Sequence, residues 1–299
     1  MNETEPVVSV RDLRKTYGKV VGLDGVSFEI HRGETFAMLG PNGAGKSTTI
    51  EILEGYRDRT GGEAKVLGVD PQTGGIDWKA RLGIVLQNTG ESGDVTVTEQ
   101  LTHFAGYYEN PRNVQEVIEA VGLTEKAKAR IAKLSGGQRR RVDVALGIIG
   151  RPRLLFLDEP TTGFDPEARR QFWGLIESLK AEGTTILLTT HYLDEAAHLA
   201  DRAAVINHGK IVALGKIDEI GGKDARVPLV KWRGSGEAKQ QRTQKPAELV
   251  AKLQKEFGGE PEGLEVIRPS LEDIYLELVG VDSHSVANED ASNLVEVSI

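Results

Sequence analysis

Residues Gly40-Pro-Asn-Gly-Ala-Gly-Lys46-Ser47 constrain this chain more than any other stretch. The glycine-rich run ends in Lys and Ser, is entered from the apolar segment Thr35–Leu39, and leads into the helix-forming segment Ser47–Leu53. That is the pattern of a phosphate-binding loop in its proper setting, strand before and helix after. Glycines let the backbone curl until its N–H groups converge on a phosphate, and the following helix adds its positive N-terminal end. Lys46 is expected to reach the β- and γ-phosphates and Ser47 to ligate Mg²⁺, with Asn42, Gly43, Ala44, Gly45 and Thr48 completing the cradle. At average glycine frequency such a string arises by chance in roughly one chain per hundred of this length, which weighs against an incidental turn.

The rest of the pattern is that of an α/β protein. Arg153–Leu157 and Thr184–Thr189 are near-continuous apolar runs, as expected of parallel strands covered on both faces. Val7–Val10 and Val26–Ile30 read as strands, and Gly83-Ile-Val-Leu-Gln87 as a further one. Pro166–Glu182 and Arg139–Ile149 read as helices between strands, giving the β-α alternation of an α/β fold. The pattern changes near Gly215. Gly221–Gly222 and the polar stretch Gly234–Pro246 read as loop, Ala247–Phe257 as an amphipathic helix, Leu264–Ile267 as a strand and Ser270–Leu278 as a helix. The expected organisation is a domain over 1–216 with a helical part at about 88–150, a small α+β domain over 217–280, and a flexible tail over 281–299.

A second acidic landmark follows the phosphate loop. Leu154-Leu-Phe-Leu-Asp158-Glu159 is an apolar strand ending in two acids. Asp158 suits a Mg²⁺ role at the end of a strand. Glu159 suits the group that orients the attacking water and accepts its proton, since water is otherwise a poor nucleophile. Taken alone, two acids before Pro160 are equally well a solvated turn; downstream of a phosphate loop the catalytic reading wins.

Leu134-Ser135-Gly136-Gly137-Gln138 adds a third landmark, a serine-capped helix start whose two glycines permit close approach of another backbone or an anion. In this order the three landmarks resemble the ATP-binding cassette (ABC) transporter ATPases over roughly Val7 to Lys216. The resemblance implies a mostly parallel P-loop NTPase core, an antiparallel N-terminal β subdomain, a helical signature subdomain, and here a small α+β appendage. It also implies that Ser135, Gly136, Gly137 and Gln138 meet ATP bound to the opposite subunit, with Asp165 crossing the same interface. Tyr17 matches the aromatic that stacks on adenine, Gln87 the glutamine that touches Mg²⁺ and the attacking water, and His191 the histidine that contacts the γ-phosphate. Phe164 stands where relatives often carry Leu, an apolar exchange.

Thr48-Thr-Ile50, Leu67-Gly-Val-Asp-Pro71, His191-Tyr-Leu-Asp-Glu195 and Arg268-Pro-Ser-Leu-Glu-Asp-Ile-Tyr275 resemble the drug-resistance branch of bacterial exporters. That branch implies a homodimer of ATPase subunits at the cytoplasmic face of the cell membrane, working with a separate ABC-2-type permease and using ATP and Mg²⁺. The partner is expected to grip the segment from Gln87 to Tyr108, where Phe104, Tyr107 and Tyr108 cluster. The alternative is a soluble ABC ATPase acting on ribosomes or DNA. It is disfavoured by the single cassette and by the absence of a sustained heptad pattern. A net charge of −8 argues further against nucleic acid. With no cysteine there is no disulfide or thiolate chemistry, and no apolar run approaches the roughly 18 residues of a membrane span. Met1–Val10 lacks the apolar core of a secretory signal.

Overall fold

The computed structural model describes residues 5–86, 94–222, 224–234 and 237–280. The chain forms two compact units, Met1–Ile217 and Asp218–Ile299. In the first, β1 (Val8–Tyr17) and β2 (Val20–Ile30) form a hairpin across Gly18-Lys19, where Gly18 takes φ 60°. The β-rich runs expected at each end of this segment are thus parts of two long strands, irregular in register between Val10 and Leu13. β3 (Thr35–Leu39) leads through the glycine loop into α1 (Lys46–Leu53). β4 (Gly61–Val66) returns to pair with β1, giving an antiparallel sheet of order β2-β1-β4.

Then come α2 (Ile76–Lys79), β5 (Leu82–Val85), α3 (Val97–Ala105), α4 (Val114–Ala120) and α5 (Gly136–Ile148). β6 (Leu154–Asp158), α6 (Pro166–Ala181), β7 (Thr185–Thr189), α7 (Leu193–Leu199), β8 (Arg202–Asn207) and β9 (Lys210–Lys216) complete the unit. The main sheet runs β5-β6-β7-β3-β8-β9, parallel except for β9. Every residue of β3, β6 and β7 is buried, as continuous apolar runs require when both faces are covered. α6 buries Ala168, Phe172, Leu175, Ile176 and Leu179, one stripe at helical spacing. α5 begins three residues earlier than its apolar pattern indicates, because Ser135 and Gln138 close a capping box at its start.

The second unit contains β10 (Leu229–Gly234), β11 (Glu237–Arg242), α8 (Pro246–Phe257), β12 (Glu265–Ile267) and α9 (Leu271–Val279). Its sheet order is β11-β10-β12, all antiparallel. This corrects the expected loop over Gly234–Pro246. β11 is fully exposed and carries no apolar alternation; its ladder to β10, from Leu229↔Arg242 to Gly234↔Glu237, holds it in place. A charged edge strand is how sheets discourage further pairing, and it is invisible to an apolar-period test. The tail at 281–299 lies outside the described residues. Among the described residues no helix is long and apolar enough to cross a membrane.

Candidate nucleotide site

Adjacent parallel strands place their C-terminal ends side by side, the usual position of ligand sites in such sheets. β3 delivers the glycine loop, β6 delivers Asp158 and Glu159, and β7 delivers Thr189 and the turn to His191. Register fixes the proximity: Asp158 pairs with Thr189, and Met38 pairs with Thr189 from the other side.

The glycine loop is sterically obligatory. A Cβ at Gly40 would lie 2.3 Å from the Ile206 carbonyl oxygen, and one at Gly45 would lie 2.7 Å from the Leu23 side chain. Gly45 caps α1 at φ 114° with no side-chain hydrogen bond. Lys46 is buried, and its Nζ donates to the carbonyls of Gly40 at 2.7 Å and Pro41 at 3.1 Å. Burial pushes the ammonium pKa down, while the charges of Glu159 and Asp158 pull it back up. Those two carboxylates thus face the lysine that a triphosphate would contact. Thr49 Oγ1 donates back to the Gly45 carbonyl at 2.9 Å. Asn42, Gly43 and Ser47 are exposed, Ala44 is buried, and Thr48 is half-buried.

Tyr17 is exposed, with its hydroxyl 3.3 Å from Thr48 Oγ1, so β1 and α1 join the phosphate loop to an aromatic face. The Arg57 guanidinium and the Lys15 ammonium lie 5.3 Å and 5.2 Å from the centre of its ring. Asp158 accepts from Thr189 Oγ1 at 2.5 Å. Ser47 and Asp158 border one cavity, two hard oxygen donors of the kind Mg²⁺ takes when phosphates supply the remainder. The residues fit the ion.

Glu159 follows in a left-handed conformation, φ 48°, unusual for a side chain of this size. Its N–H is held by the Thr189 carbonyl and hydroxyl, both at 3.1 Å. The carboxylate Oε2 stands 3.4 Å from His191 Nδ1 and takes a 3.5 Å contact from Thr162 Oγ1. The structure therefore brings together Lys46, Asp158, Glu159 and His191. Gln87 lies outside the described residues, and β5 ends at Val85, two residues before it.

Ser135, Gly136, Gly137 and Gln138 line a different cavity of about 680 Å³ together with Asp165. No residue of the glycine loop borders it, nor do Asp158, Glu159 or His191. Asp165 Oδ1 caps α6 through Ala168 N–H at 2.7 Å. The site residues thus fall into two groups on one chain.

Arg140 was not singled out in the sequence. Its buried guanidinium donates to the carbonyls of Asp158, Glu159 and Pro160, and from its other side to Leu86. It ties the signature helix to the acidic strand end and to the exit of β5. The triple Arg139-Arg140-Arg141 was its only sequence signal, and burial of the middle one is a tertiary result.

Comparison with known proteins agrees with this geometry. A family model described as ABC transporter matches residues 23–162. The Nod factor export ATP-binding protein I of Ralstonia nicotianae is 38% identical, covering 92% of this chain and 94% of that protein. The daunorubicin/doxorubicin resistance ATP-binding protein DrrA of Streptomyces peucetius is 40% identical over 73% of this chain and 68% of its own length. Among solved structures, the ATP-binding subunit of an ABC transporter superposes with a TM-score of 0.69 at 24% identity, covering 91% of this chain and 99% of that one. A dimeric cassette in a post-hydrolysis state bound to ADP and Pi superposes with 0.64 at 24% identity, covering 70% and 98%. At that identity the two structures speak for the fold, and the two sequence relatives for the family. The chain belongs to the ATP-binding proteins of the ABC transporter family.

Proposed function

We propose that this chain is the ATP-hydrolysing subunit of an exporter, working as a homodimer on a separate membrane-spanning permease at the cytoplasmic face of the cell membrane. The observation that carries the reading is the division of its site. The glycine loop, Asp158, Glu159 and His191 form one half, and the signature cavity with Asp165 forms another bordered by none of them. A second copy facing the first in antiparallel fashion completes both halves, so two nucleotides join two subunits.

The chemistry follows from the geometry. Lys46 and the α1 N-terminus hold the phosphates. Ser47 and Asp158 would hold Mg²⁺, which would supply neutralisation of the negative charge on the phosphates. Glu159 orients a water and accepts its proton, and His191 at 3.4 Å fixes the carboxylate and faces the terminal phosphate. Relatives named for Nod factor export and for daunorubicin/doxorubicin resistance support a cargo of amphiphilic, drug-like or lipid-like compounds.

We place permease docking at the outer wall, between α1 and β5, of the same cavity of about 540 Å³ that Ser47 and Asp158 border. Tyr56 (79% exposed), Ile84 and Leu86 give it an apolar wall. Phe104, Tyr107 and Tyr108, expected from sequence to form the socket, do not line it. α3 ends at Ala105; Tyr107 packs edge-on against His103 and Phe104, and the Tyr108 ring covers Gly150. The test is purification of the Glu159→Gln chain, locked by ATP, from membranes of its source cell. A multi-span membrane protein at one copy per ATPase subunit is expected; recovery of ribosomes or DNA instead would sink the transport reading.

A further inference from the structure

Arg140 lies early in α5, the middle one of three successive arginines, and is only 7% exposed. A guanidinium withdrawn from water is unfavourable unless its donors are used. Here they are used. Nη2 donates to the carbonyls of Asp158 at 2.5 Å and Glu159 at 3.2 Å, Nε to that of Pro160 at 3.2 Å, and Nη1 to that of Leu86. Burial pushes the guanidinium pKa down, while the charges of Asp143, Asp158 and Glu159 pull it back up. All four acceptors are backbone carbonyls, and three of them are consecutive.

That convergence has a cause in the backbone. Along an extended strand successive carbonyls point to opposite sides. Asp158, Glu159 and Pro160 turn theirs to one guanidinium because the chain leaves the strand at Glu159, with φ 48°. A left-handed residue that carries a side chain persists where its surroundings fix it. Thr189 fixes the N–H side of Glu159, through its carbonyl and its hydroxyl, both at 3.1 Å. Arg140 fixes the carbonyl side. The Glu159 backbone is thus held from both ends, and its carboxylate, 11% exposed, stands 3.4 Å from His191 Nδ1.

We propose that Arg140 is a positioning residue for hydrolysis: by gathering three carbonyls at the end of β6 it sets the backbone conformation that aims the Glu159 carboxylate at the attacking water. The proposal rests on the assignment of Glu159 as proton acceptor and adds the group that places it. The task suits arginine alone among the cations. Its planar fork offers five donors in fixed directions, enough to reach the end of β6 and Leu86 at once, whereas a lysine ammonium is a single point at the end of a flexible stem. Arg140→Lys therefore keeps the charge and gives up the fork.

The test uses the full chain with ATP and Mg²⁺. Single-turnover hydrolysis and ATP affinity are measured for the parent, Arg140→Lys, Glu159→Gln and the double variant. Arg140→Lys should bind ATP as the parent does and hydrolyse it about tenfold more slowly, since a small misplacement of a catalytic group is felt in the rate. With Glu159→Gln no carboxylate is left to place, so adding Arg140→Lys should slow that chain further by less than about twofold. A residue that merely braces the fold would slow both backgrounds alike. Arg140→Gln, neutral and shorter, goes through the same cycle should circular dichroism show that the lysine variant is unfolded. Equal slowing in both backgrounds, parental turnover in Arg140→Lys, or loss of folding or ATP binding in both Arg140 variants overturns the positioning role. Parental turnover in Glu159→Gln alone removes the assignment beneath it, and the proposal falls with it.

Discussion

Helices α1 and α5 both start at glycine-containing loops, yet their first turns are finished in opposite ways. α1 begins at Gly45, which offers no side-chain acceptor to the N–H groups that follow. α5 begins at Ser135, whose Oγ accepts from Gln138 N–H at 3.2 Å while the Gln138 side chain accepts from Ser135 N–H at 3.1 Å. An uncapped first turn leaves donors for an anion; a capping box satisfies them internally. The first turn of α1 is therefore left open to an anion. That of α5 is complete in itself, and any nucleotide it meets must be presented by another molecule. Gly136 and Gly137 keep that approach open, with nothing within 4 Å of a Cβ at Gly136.

The largest expected effect lies on the α1 side. Glu159→Gln keeps shape and removes the proton acceptor, so ATP binding survives and turnover falls by about a hundredfold or more. ATP should then hold the dimer closed, visible by size-exclusion chromatography. Turnover within threefold of the parent would remove Glu159 from the chemistry.

On the α5 side, Gly137→Asp sets a carboxylate where a terminal phosphate should dock. Like-charge contact should weaken ATP-dependent dimerisation by roughly thirtyfold, while each subunit alone binds ATP as before. Gly137→Ala is the folding control, since its Cβ would meet the Gly163 carbonyl oxygen at 3.4 Å, an ordinary contact. Mixing Gly137→Asp chains with Lys46→Ala chains should restore one working site per heterodimer at most. Hydrolysis by pure Gly137→Asp at the parent rate would reduce α5 to a capped helix and erase the contrast.

The smallest effect concerns the far end of α1. Burial, with the Asp158 and Glu51 charges added, pushes the Glu54 pKa up from 4.5 to about 8. The folded chain therefore holds this proton more tightly than the unfolded chain does. The stabilisation is fully present below pH 4.5 and is lost as pH rises towards 8. Glu54→Gln cannot ionise and escapes that loss, on the order of a few kcal/mol. Without nucleotide or Mg²⁺, the variant should melt within a degree or so of the parent at pH 5 and several degrees above it at pH 8. A melting difference independent of pH would show that Glu54 is ionised throughout and already has a partner.

Legibility in the sequence followed local physics. Gly40–Ser47 could be read because a curled phosphate loop demands glycines at fixed offsets. β3, β6 and β7 could be read because strands buried on both faces are continuously apolar. β11 could not, because it is held by its ladder to β10 and by Arg242 reaching Glu277, not by any apolar alternation. The aromatic cluster at Phe104–Tyr108 drew attention by composition, yet the groove was built by Tyr56 with Ile84 and Leu86, far apart in the chain and joined only when β5 packs beside α1.

What the sequence by itself determined is the set of chemical groups: a lysine in a glycine loop, two acids ending an apolar strand, a serine-capped helix, and a histidine after a second strand. Local backbone preference and solvation are written in neighbouring residues, so these need no fold to be recognised. Only the tertiary structure decided which of them meet. The order β6-β7-β3 sets Glu159 against His191 and Lys46 near both acids, although the chain carries Lys46 far from the acids. The same packing turned Arg140 inward onto four carbonyls and buried Glu54 at the end of α1. Burial and partner choice are properties of surfaces brought together over long range, and no window of sequence contains them.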